Sequence, residues 1–276
     1  MEGLKTDKAA AATPEPQAEE PLVLRSDQGP ITTLTLNRPR QFNALSSAML
    51  AALQEELDKI AADESVRVVV LAAAGKAFCA GHDLKEMRSH PDKSFQNALF
   101  TQCSDMMLTI NRIPQPVIAR VHGLATAAGC QLVAACDLAV AAEMAQFATS
   151  GIRVGLFCST PSVAVSRNLS RKKALEILLT GEFIDARTAE REGLINYAVP
   201  PEELDAAVQR LADAIVAKSP VAVATGKGMF YRQLEMGMEE AYSYAAEVMA
   251  CNMMAEDAQE GIDAFIEKRV PVWKGR

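Results

Sequence analysis

The first half of the chain switches repeatedly between a strand pattern and a helix pattern of apolar residues. Alternating or continuous apolar runs, rich in β-branched side chains, predict strands at 31–36, 66–71, 117–121 and 138–142. Apolar side chains at every third or fourth position predict amphipathic helices at 46–62 and 94–111. The segment 72–83 is predicted to be a loop. Because strands and helices alternate along the chain, the pattern favours an α/β fold.

Beyond about residue 170 the apolar spacing becomes almost entirely helical. A short strand is predicted only at 195–199, and Pro220 is expected to separate two helices. We therefore expect a strand-and-helix core at 22–205, followed by a carboxy-terminal helical region at 206–276.

The opening residues 1–21 are rich in Ala, Pro and Glu and lack an apolar pattern, which predicts a disordered tail. They have neither the basic start and apolar segment of a secretory signal nor the arginine-rich, acid-poor composition of a mitochondrial presequence. The six cysteines form no CxxC pair, which favours free thiols in a reducing compartment. A cytoplasmic location is therefore predicted.

Charge and composition limit the classes of partner. A net charge of -7 argues against nucleic acid, because phosphate binding needs clustered Lys and Arg. No run of about 20 uncharged apolar residues is present, so no membrane partner is expected. The three histidines, His82, His90 and His122, form no pattern with metal-ligand spacing, so no metal site is predicted.

The segment 119–137, ARVHGLATAAGCQLVAACD, carries the clearest chemical signal. A predicted strand runs into a turn of small residues, and a helix then opens at Ala127, Ala128 and Gly129. Small residues let a ligand approach the backbone, and a helix start offers unpaired N–H groups and the positive end of the dipole. This combination suits an oxygen that develops negative charge. The polar residue one turn further, Gln131, is an amide that cannot carry a proton in acid–base catalysis.

Four segments in order resemble the crotonase superfamily, also called the enoyl-CoA hydratase/isomerase family. They are NRPRQFNALS (37–46), GKAFCAGHDLKEM (75–87), HGLATAAGCQL (122–132) and FATSGIRVGLFCSTP (147–161). The resemblance extends from about residue 22 to the end of the chain. Within the matching region, the segments GHDLKE, AAGCQL and VGLFCSTP are together most similar to one subgroup of this family.

The resemblance implies a crotonase-like spiral of ββα units with a helical trimerisation region. It implies an acyl-CoA thioester as substrate, with coenzyme A arriving as part of that substrate and no separate cofactor. It also implies a homotrimer or a dimer of trimers.

The resemblance further assigns roles to individual residues. The backbone N–H groups of His82 and Ala128 would hold the oxygen of a thioester enolate. A second set would contact coenzyme A or the acyl chain, the last two from a neighbouring subunit: Phe42, Ala44, Leu45, Ala80, His82, Asp83, Leu84, Lys85, Ala128, Lys268 and Arg269.

The sequence departs from the family pattern where hydratases carry two glutamates that position and activate water. The first position holds Gln131 and the second holds Gly151. Paired carboxylates serve acid–base catalysis because one can be protonated while the other is ionised. The usual hydration mechanism is therefore doubtful, and isomerisation, decarboxylation or hydrolysis through an enolate are candidates beside weak hydration. The alternatives are an acyl-CoA-binding or regulatory protein without hydratase activity, and an assembly protein that acts through its helical tail.

The remaining polar residues allow a structural as well as a functional interpretation. The His82 imidazole is either a turn residue or a substitute acid or base, whereas Asp83 and Asp137 are expected to cap turns and helices. Cys158, next to Ser159 and Thr160, is expected to be inert because it lacks a basic partner. The GKG at 226–228 lacks the other residues of a phosphate-binding loop.

Overall fold

The computed structural model of the protein describes residues 20–276, so the predicted disordered tail lies outside it except for its last two residues. Ten strands are present in this range: β1 (Val23–Gln28), β2 (Ile31–Leu36), β3 (Val68–Ala73), β4 (Ala77–Cys79), β5 (Val117–Val121), β6 (Leu124–Thr126), β7 (Leu138–Ala142), β8 (Gln146–Ala148), β9 (Ile184–Asp185) and β10 (Tyr197–Val199).

Eleven α-helices in the same range connect or follow these strands: α1 (Ser47–Ala61), α2 (Leu84–Ser89), α3 (Lys93–Arg112), α4 (Ala128–Ala135), α5 (Ser159–Asn168), α6 (Arg171–Thr180), α7 (Ala186–Glu192), α8 (Leu204–Val216), α9 (Pro220–Gln233), α10 (Met238–Met253) and α11 (Glu256–Glu267). Short 3₁₀ turns occur at Pro39–Gln41, Ser150–Val154 and Pro201–Glu203. None of the helices between residues 20 and 276 is long and apolar enough to cross a membrane.

The strands form two sheets. The larger sheet has the order β1-β2-β3-β5-β7-β10, and the smaller has the order β4-β6-β8-β9. All neighbours in the larger sheet are parallel except β1 and β2, and β9 is the antiparallel member of the smaller sheet. Every residue of β3, VVVLAA, is buried, as expected for a parallel strand covered on both faces.

Successive turns of the chain place one strand in each sheet and then form a helix. β3 and β4 precede α2 and α3, β5 and β6 precede α4, and β7 and β8 precede the 3₁₀ turn and α5. The predicted α/β spiral of ββα units is therefore confirmed. The large core lies between the sheets and the helices, and α8 covers the other face of the larger sheet with Leu204, Ala207 and Val208.

The long apolar elements were predicted closely, and the short ones were not. Strands at 31–36, 117–121 and 138–142 have the predicted bounds, but the predicted loop 72–83 is wrong because it contains β4. A strand of three residues is too short to show a periodicity, and β4 is held by its pairing with the distant β6. The polar edge strand β1, VLRSDQ, was missed for lack of an apolar pattern.

The carboxy-terminal third is helical, as expected. Pro220 is the first residue of α9, and the Ser219 side chain caps that helix, so the predicted break between two helices is confirmed. The boundary expected between 205 and 206 falls inside α8, which packs on the larger sheet. The division into a 22–205 core and a 206–276 region stays a prediction.

Candidate active site

The loop at residues 80–83 runs beside the start of α4. Leu45 N donates to Gly81 O at 2.8 Å, and Asp83 N donates to Leu45 O at 3.2 Å. This parallel bridge uses the carbonyl of Gly81 and the N–H of Asp83, the two neighbours of His82 in the chain. The N–H of His82 therefore points away from Leu45. Within residues 20–276 that N–H has no hydrogen-bond acceptor.

Gly81 lets the loop approach α4 closely. Its φ of +94° is a conformation that residues with a Cβ rarely adopt. A Cβ placed on Gly81 would lie 2.8 Å from the Cβ of Ala127 and 3.2 Å from the backbone nitrogen of Ala128. The loop and the helix start are therefore in direct contact.

The helix start itself is fixed by the smaller sheet. Ala127 N donates to Ala148 O at 2.9 Å, which ties the first residue before α4 to β8. A Cβ on Gly129 would overlap the carbonyl oxygen of Cys79 in β4, so only glycine allows this packing. Ala128 is the first residue of α4, and its N–H has no acceptor in the described part of the chain. Two unpaired N–H groups therefore lie on adjoining segments, an arrangement that can bind an oxygen carrying negative charge.

Ala127 adopts a strained backbone conformation, with φ 51° and ψ −120°. Because glycine tolerates positive φ, we expect Ala127→Gly to raise the free energy of unfolding by about 1 kcal/mol, measured by urea denaturation. Ala128→Gly is the control: a helical position gains nothing from glycine and should lose roughly 0.5–1 kcal/mol. Equal losses in both variants would contradict the strain at Ala127.

Gln131 lies one turn along α4 and is 4% exposed. Its Oε1 atom is buried and has no hydrogen-bond partner within residues 20–276. An unpaired buried carbonyl costs about 1–3 kcal/mol, so such a group is typical of a site that binds a ligand or water.

The imidazole of His82 is the second buried polar group near the helix start. Its Nδ1 lies 3.4 Å from Leu45 O, and its ring stands edge-on to Phe100 with 5.3 Å between the centroids. Its Nε2 is buried with no hydrogen-bond partner among the described residues. Burial lowers the pKa of the imidazole below its usual 6.5, and a weaker attraction to Glu86 opposes this shift. The ring is therefore neutral at pH 7.

The second glutamate position of the family pattern has no room for a side chain. Gly151 lies in the 3₁₀ turn Ser150–Val154, and Leu156 N donates back to Gly151 O at 3.0 Å. A Cβ on Gly151 would lie 2.6 Å from Leu156 O and 2.8 Å from the Sγ of Cys158. Burial raises the pKa of the Cys158 thiol, which supports the expectation that it is inert.

The predicted coenzyme A contacts fall into two groups. Ala80 N donates to Phe42 O at 3.0 Å, so the turn that holds Phe42, Ala44 and Leu45 meets the loop of His82. Phe42 is exposed, whereas Ala44 and Leu45 are buried, and Leu84 and Lys85 are exposed on α2.

Lys268 and Arg269 lie just after α11. No hydrogen bond or ion pair within residues 20–276 joins either residue to these loops, and Arg269 is paired with Glu260 and Glu267. Their contact with coenzyme A stays a prediction.

Asp83 has the structural role expected of it. Its carboxylate accepts hydrogen bonds from the backbone of Lys85 and Glu86, which caps α2, and it pairs with Arg38 at 2.9 Å. Arg38 and Asn43 were missed as parts of this scaffold. Asn43 is buried with φ 54°, and its amide donates to Ala74 O and Ala77 O at 2.8 Å each. An NRP turn followed by Asn, which tolerates positive φ, is the available signal.

The comparisons with known proteins match this architecture. The family model described as "Enoyl-CoA hydratase/isomerase" matches residues 26–276. The chain belongs to the enoyl-CoA hydratase/isomerase family. A crystal structure of an enoyl-CoA hydratase of Mycobacterium smegmatis is 60% identical, with a TM-score of 0.91 over 92% of this chain and 99% of that one.

Within the enoyl-CoA hydratase/isomerase family, the predicted subgroup is confirmed. The rat "Enoyl-CoA hydratase domain-containing protein 3, mitochondrial" is 46% identical and covers 94% of this chain and 86% of its own length. The crystal structure of human enoyl-CoA hydratase domain-containing protein 3 is 44% identical, with a TM-score of 0.89 over 91% of this chain and all of that one.

The names of these relatives correct one prediction. Vertebrate relatives from rat, mouse, Xenopus laevis and human, at 44–46% identity, are all named mitochondrial. The cytoplasmic location predicted from the first 21 residues and from the cysteine pattern is therefore wrong. The composition argument depended on a segment that lies almost wholly outside the described residues. Free thiols indicate a reducing compartment but do not distinguish one such compartment from another.

Proposed function

We propose that this protein is an enzyme that binds an acyl-CoA thioester and stabilises its enolate with the backbone N–H groups of His82 and Ala128. The observation that carries the proposal is the pair of unpaired N–H groups on adjoining segments, held by Gly81 and Gly129. Enolate formation moves charge onto the thioester oxygen. Fixed amide donors stabilise that charge without reorganising, and the dipole of α4 acts in the same direction.

The reaction proposed for this site does not use two carboxylates. Gln131 and Gly151 stand at the two glutamate positions, and neither side chain can take up or release a proton near neutral pH. Isomerisation or decarboxylation through an enolate, or hydrolysis through a tetrahedral oxyanion, therefore fits the site better than addition of water to a double bond. The same absence supports the alternative function, an acyl-CoA-binding or regulatory protein that binds the thioester without converting it.

We also propose that coenzyme A extends from the site along the Phe42–Leu45 turn and α2, where Ala80, Leu84 and Lys85 face it. Lys268 and Arg269 would reach the phosphates from a neighbouring subunit. The carboxy-terminal helices support an assembly of three or six chains because they expose large apolar side chains. These include Met238, Tyr242, Met249, Met254 and Phe265.

The decisive experiment compares butyryl-CoA with S-butyl-CoA, a thioether that lacks only the carbonyl oxygen. The thioether loses both backbone hydrogen bonds, worth roughly 1–3 kcal/mol together, so calorimetry should show binding about ten- to a hundredfold weaker. Equal affinities would contradict the oxyanion site. A panel of enoyl-, malonyl- and hydroxyacyl-CoAs then separates an enzyme, which turns over at least one of them, from a binding protein, which turns over none.

A further inference from the structure

We propose that the imidazole of His82 transfers the substrate proton in this site, in the place of the two absent carboxylates. The inference rests on the proposed function, because it needs the thioester carbonyl to sit on the N–H groups of His82 and Ala128. It goes further by assigning the acid–base group and limiting the chemistry to proton transfer at carbon.

The hydrogen bonding of the ring leaves one nitrogen available. Nδ1 faces Leu45 O at 3.4 Å, and a carbonyl oxygen can only accept, so we assign the ring proton to Nδ1. Nε2 then carries a lone pair, and it is buried without a donor anywhere in residues 20–276. Phe100, edge-on to the ring at 5.3 Å, limits its rotation. A buried lone pair without a donor is costly unless a ligand supplies one.

The backbone N–H and the imidazole belong to the same residue. We infer that a carbonyl bound to that N–H holds its neighbouring carbon within reach of Nε2. Gln131 lies one turn from Ala128 on α4, and its Oε1 is also buried without a hydrogen-bond partner in residues 20–276. An amide oxygen accepts a hydrogen bond but takes up no proton at neutral pH, so Gln131 is a positioning residue.

The proposed step is balanced within the protein and the substrate. Nε2 takes a proton from the carbon next to the thioester carbonyl, and the electron pair of that C–H bond moves to form an enolate on the two N–H groups. The imidazolium then returns a proton, either the one it took or one exchanged for it with solvent, to that carbon or to the far end of a conjugated system. The second outcome moves a double bond, and neither needs an oxidant, a metal or an added water.

The charge state of the His82 ring supports its role as the base that takes the proton from carbon. The pKa of His82 lies below 6.5 because the ring is buried, and Glu86 is the charged neighbour that acts against burial. The basic form is therefore present at neutral pH and is lost as the pH falls through that lowered pKa. The rate of proton abstraction should decline on the acid side of pH 6.5 and be flat above it.

The test uses but-3-enoyl-CoA in D₂O, because its protons next to the carbonyl are acidified by both the thioester and the alkene. Mass spectrometry measures deuterium uptake, and calorimetry measures binding. We expect the parent to incorporate deuterium and His82→Gln to do so about a hundredfold to ten-thousandfold more slowly. Both proteins keep the backbone N–H, so their dissociation constants should agree within about threefold, well under the tenfold of 1.4 kcal/mol.

Two further variants separate catalysis from folding. His82→Ala should be equally slow, and added imidazole should restore part of its exchange, which a purely structural role would not allow. His122→Gln is the matched control, because His122 is also partly buried, with a lowered pKa, an Nε2 that faces Gly75 O and an unpaired Nδ1 within residues 20–276. No group of His122 is assigned to the thioester. This variant should exchange at the parent rate.

Each outcome has one meaning. Exchange by His82→Gln at the parent rate, or a parent that binds the thioester without exchange, overturns the role of the imidazole and leaves thioester binding intact. A parent that does not bind but-3-enoyl-CoA overturns the proposed function itself. Loss of exchange in His82→Gln and His82→Ala, with binding kept and rescue by imidazole, supports the proposal.

Discussion

Replacing Lys227 with methionine should lower the free energy of unfolding by about 3–5 kcal/mol, measured by urea denaturation. Lys227 Nζ lies 2.7 Å from Asp137 Oδ2 and donates to Ile110 O at 2.7 Å and Gln115 O at 2.8 Å. Both charged side chains are largely buried. Methionine keeps the length of the side chain but leaves the carboxylate buried without its cation.

The network also explains why this loss should affect the whole chain. Asp137 precedes β7, and its carboxylate accepts hydrogen bonds from Val117 N of β5 and from the hydroxyl of Tyr231. Lys227 and Tyr231 both belong to α9, so this one carboxylate joins the carboxy-terminal helices to the larger sheet. Asp137 is structural, as expected, but its carboxylate joins β5 to α9 instead of capping a turn or helix. Lys227 binds this carboxylate and not a phosphate.

Two variants test this explanation. Lys59→Met removes an exposed ion pair with Glu55 and Glu56, and it should unfold at nearly the same urea concentration as the parent. Asp137→Leu combined with Lys227→Met removes both buried charges and should recover part of the stability lost in the single variant. A single variant as stable as the Lys59→Met control would contradict a stabilising role for the buried pair.

The sequence predicts the long elements and the helix start well because local physics determines them. The β-branched run at 66–71 predicts a buried strand, which the structure places at Val68–Ala73, and a turn of small residues before an apolar helix leaves N–H groups unpaired. The strand β4 has no such local signal. Its three residues become a strand only because β6, more than 40 residues away, pairs with them.

The side chains around the N–H groups were predicted less completely, because their roles depend on distant contacts. Residue types alone show that Gln131 and Gly151 are not acids. They do not show that the Gln131 oxygen and His82 Nε2 are buried without partners, or that Leu156 and Cys158 fill the space beside Gly151. The packing beside Gly151 arises from the return of the chain after β8, and the His82 ring lies against Leu45 and Phe100, contacts that no spacing in the sequence reveals.

Restoring the two glutamates should therefore fail to create a hydratase. In Gln131→Glu combined with Gly151→Glu, we expect hydration of crotonyl-CoA to stay within about tenfold of the parent rate, measured by the loss of conjugated absorbance. A positioned acid–base pair is worth about a hundredfold to ten-thousandfold in rate, so a working pair would exceed this limit clearly. The physical reason is steric at residue 151 and electrostatic at residue 131.

At residue 151, the Cβ of glutamate meets Leu156 O at 2.6 Å and Cys158 Sγ at 2.8 Å, so the turn must shift before a carboxylate can reach the site. We expect Gly151→Glu alone to lose roughly 1–3 kcal/mol of stability. Val154→Glu is the matched control, because Val154 belongs to the same turn and is exposed. It should be tolerated.

At residue 131, a carboxylate would replace an amide whose oxygen has no partner among the described residues. Burial without a donor favours the protonated form, so this glutamate would not act as a base at neutral pH. Adding Cys158→Ala to the double variant removes the Sγ contact but not the backbone oxygen of Leu156, so it should recover stability without bringing hydration. If the double variant instead hydrates crotonyl-CoA more than a hundredfold faster than the parent, then the turn at residue 151 can shift to accept a side chain. In that case the two missing carboxylates alone limit hydration by this chain.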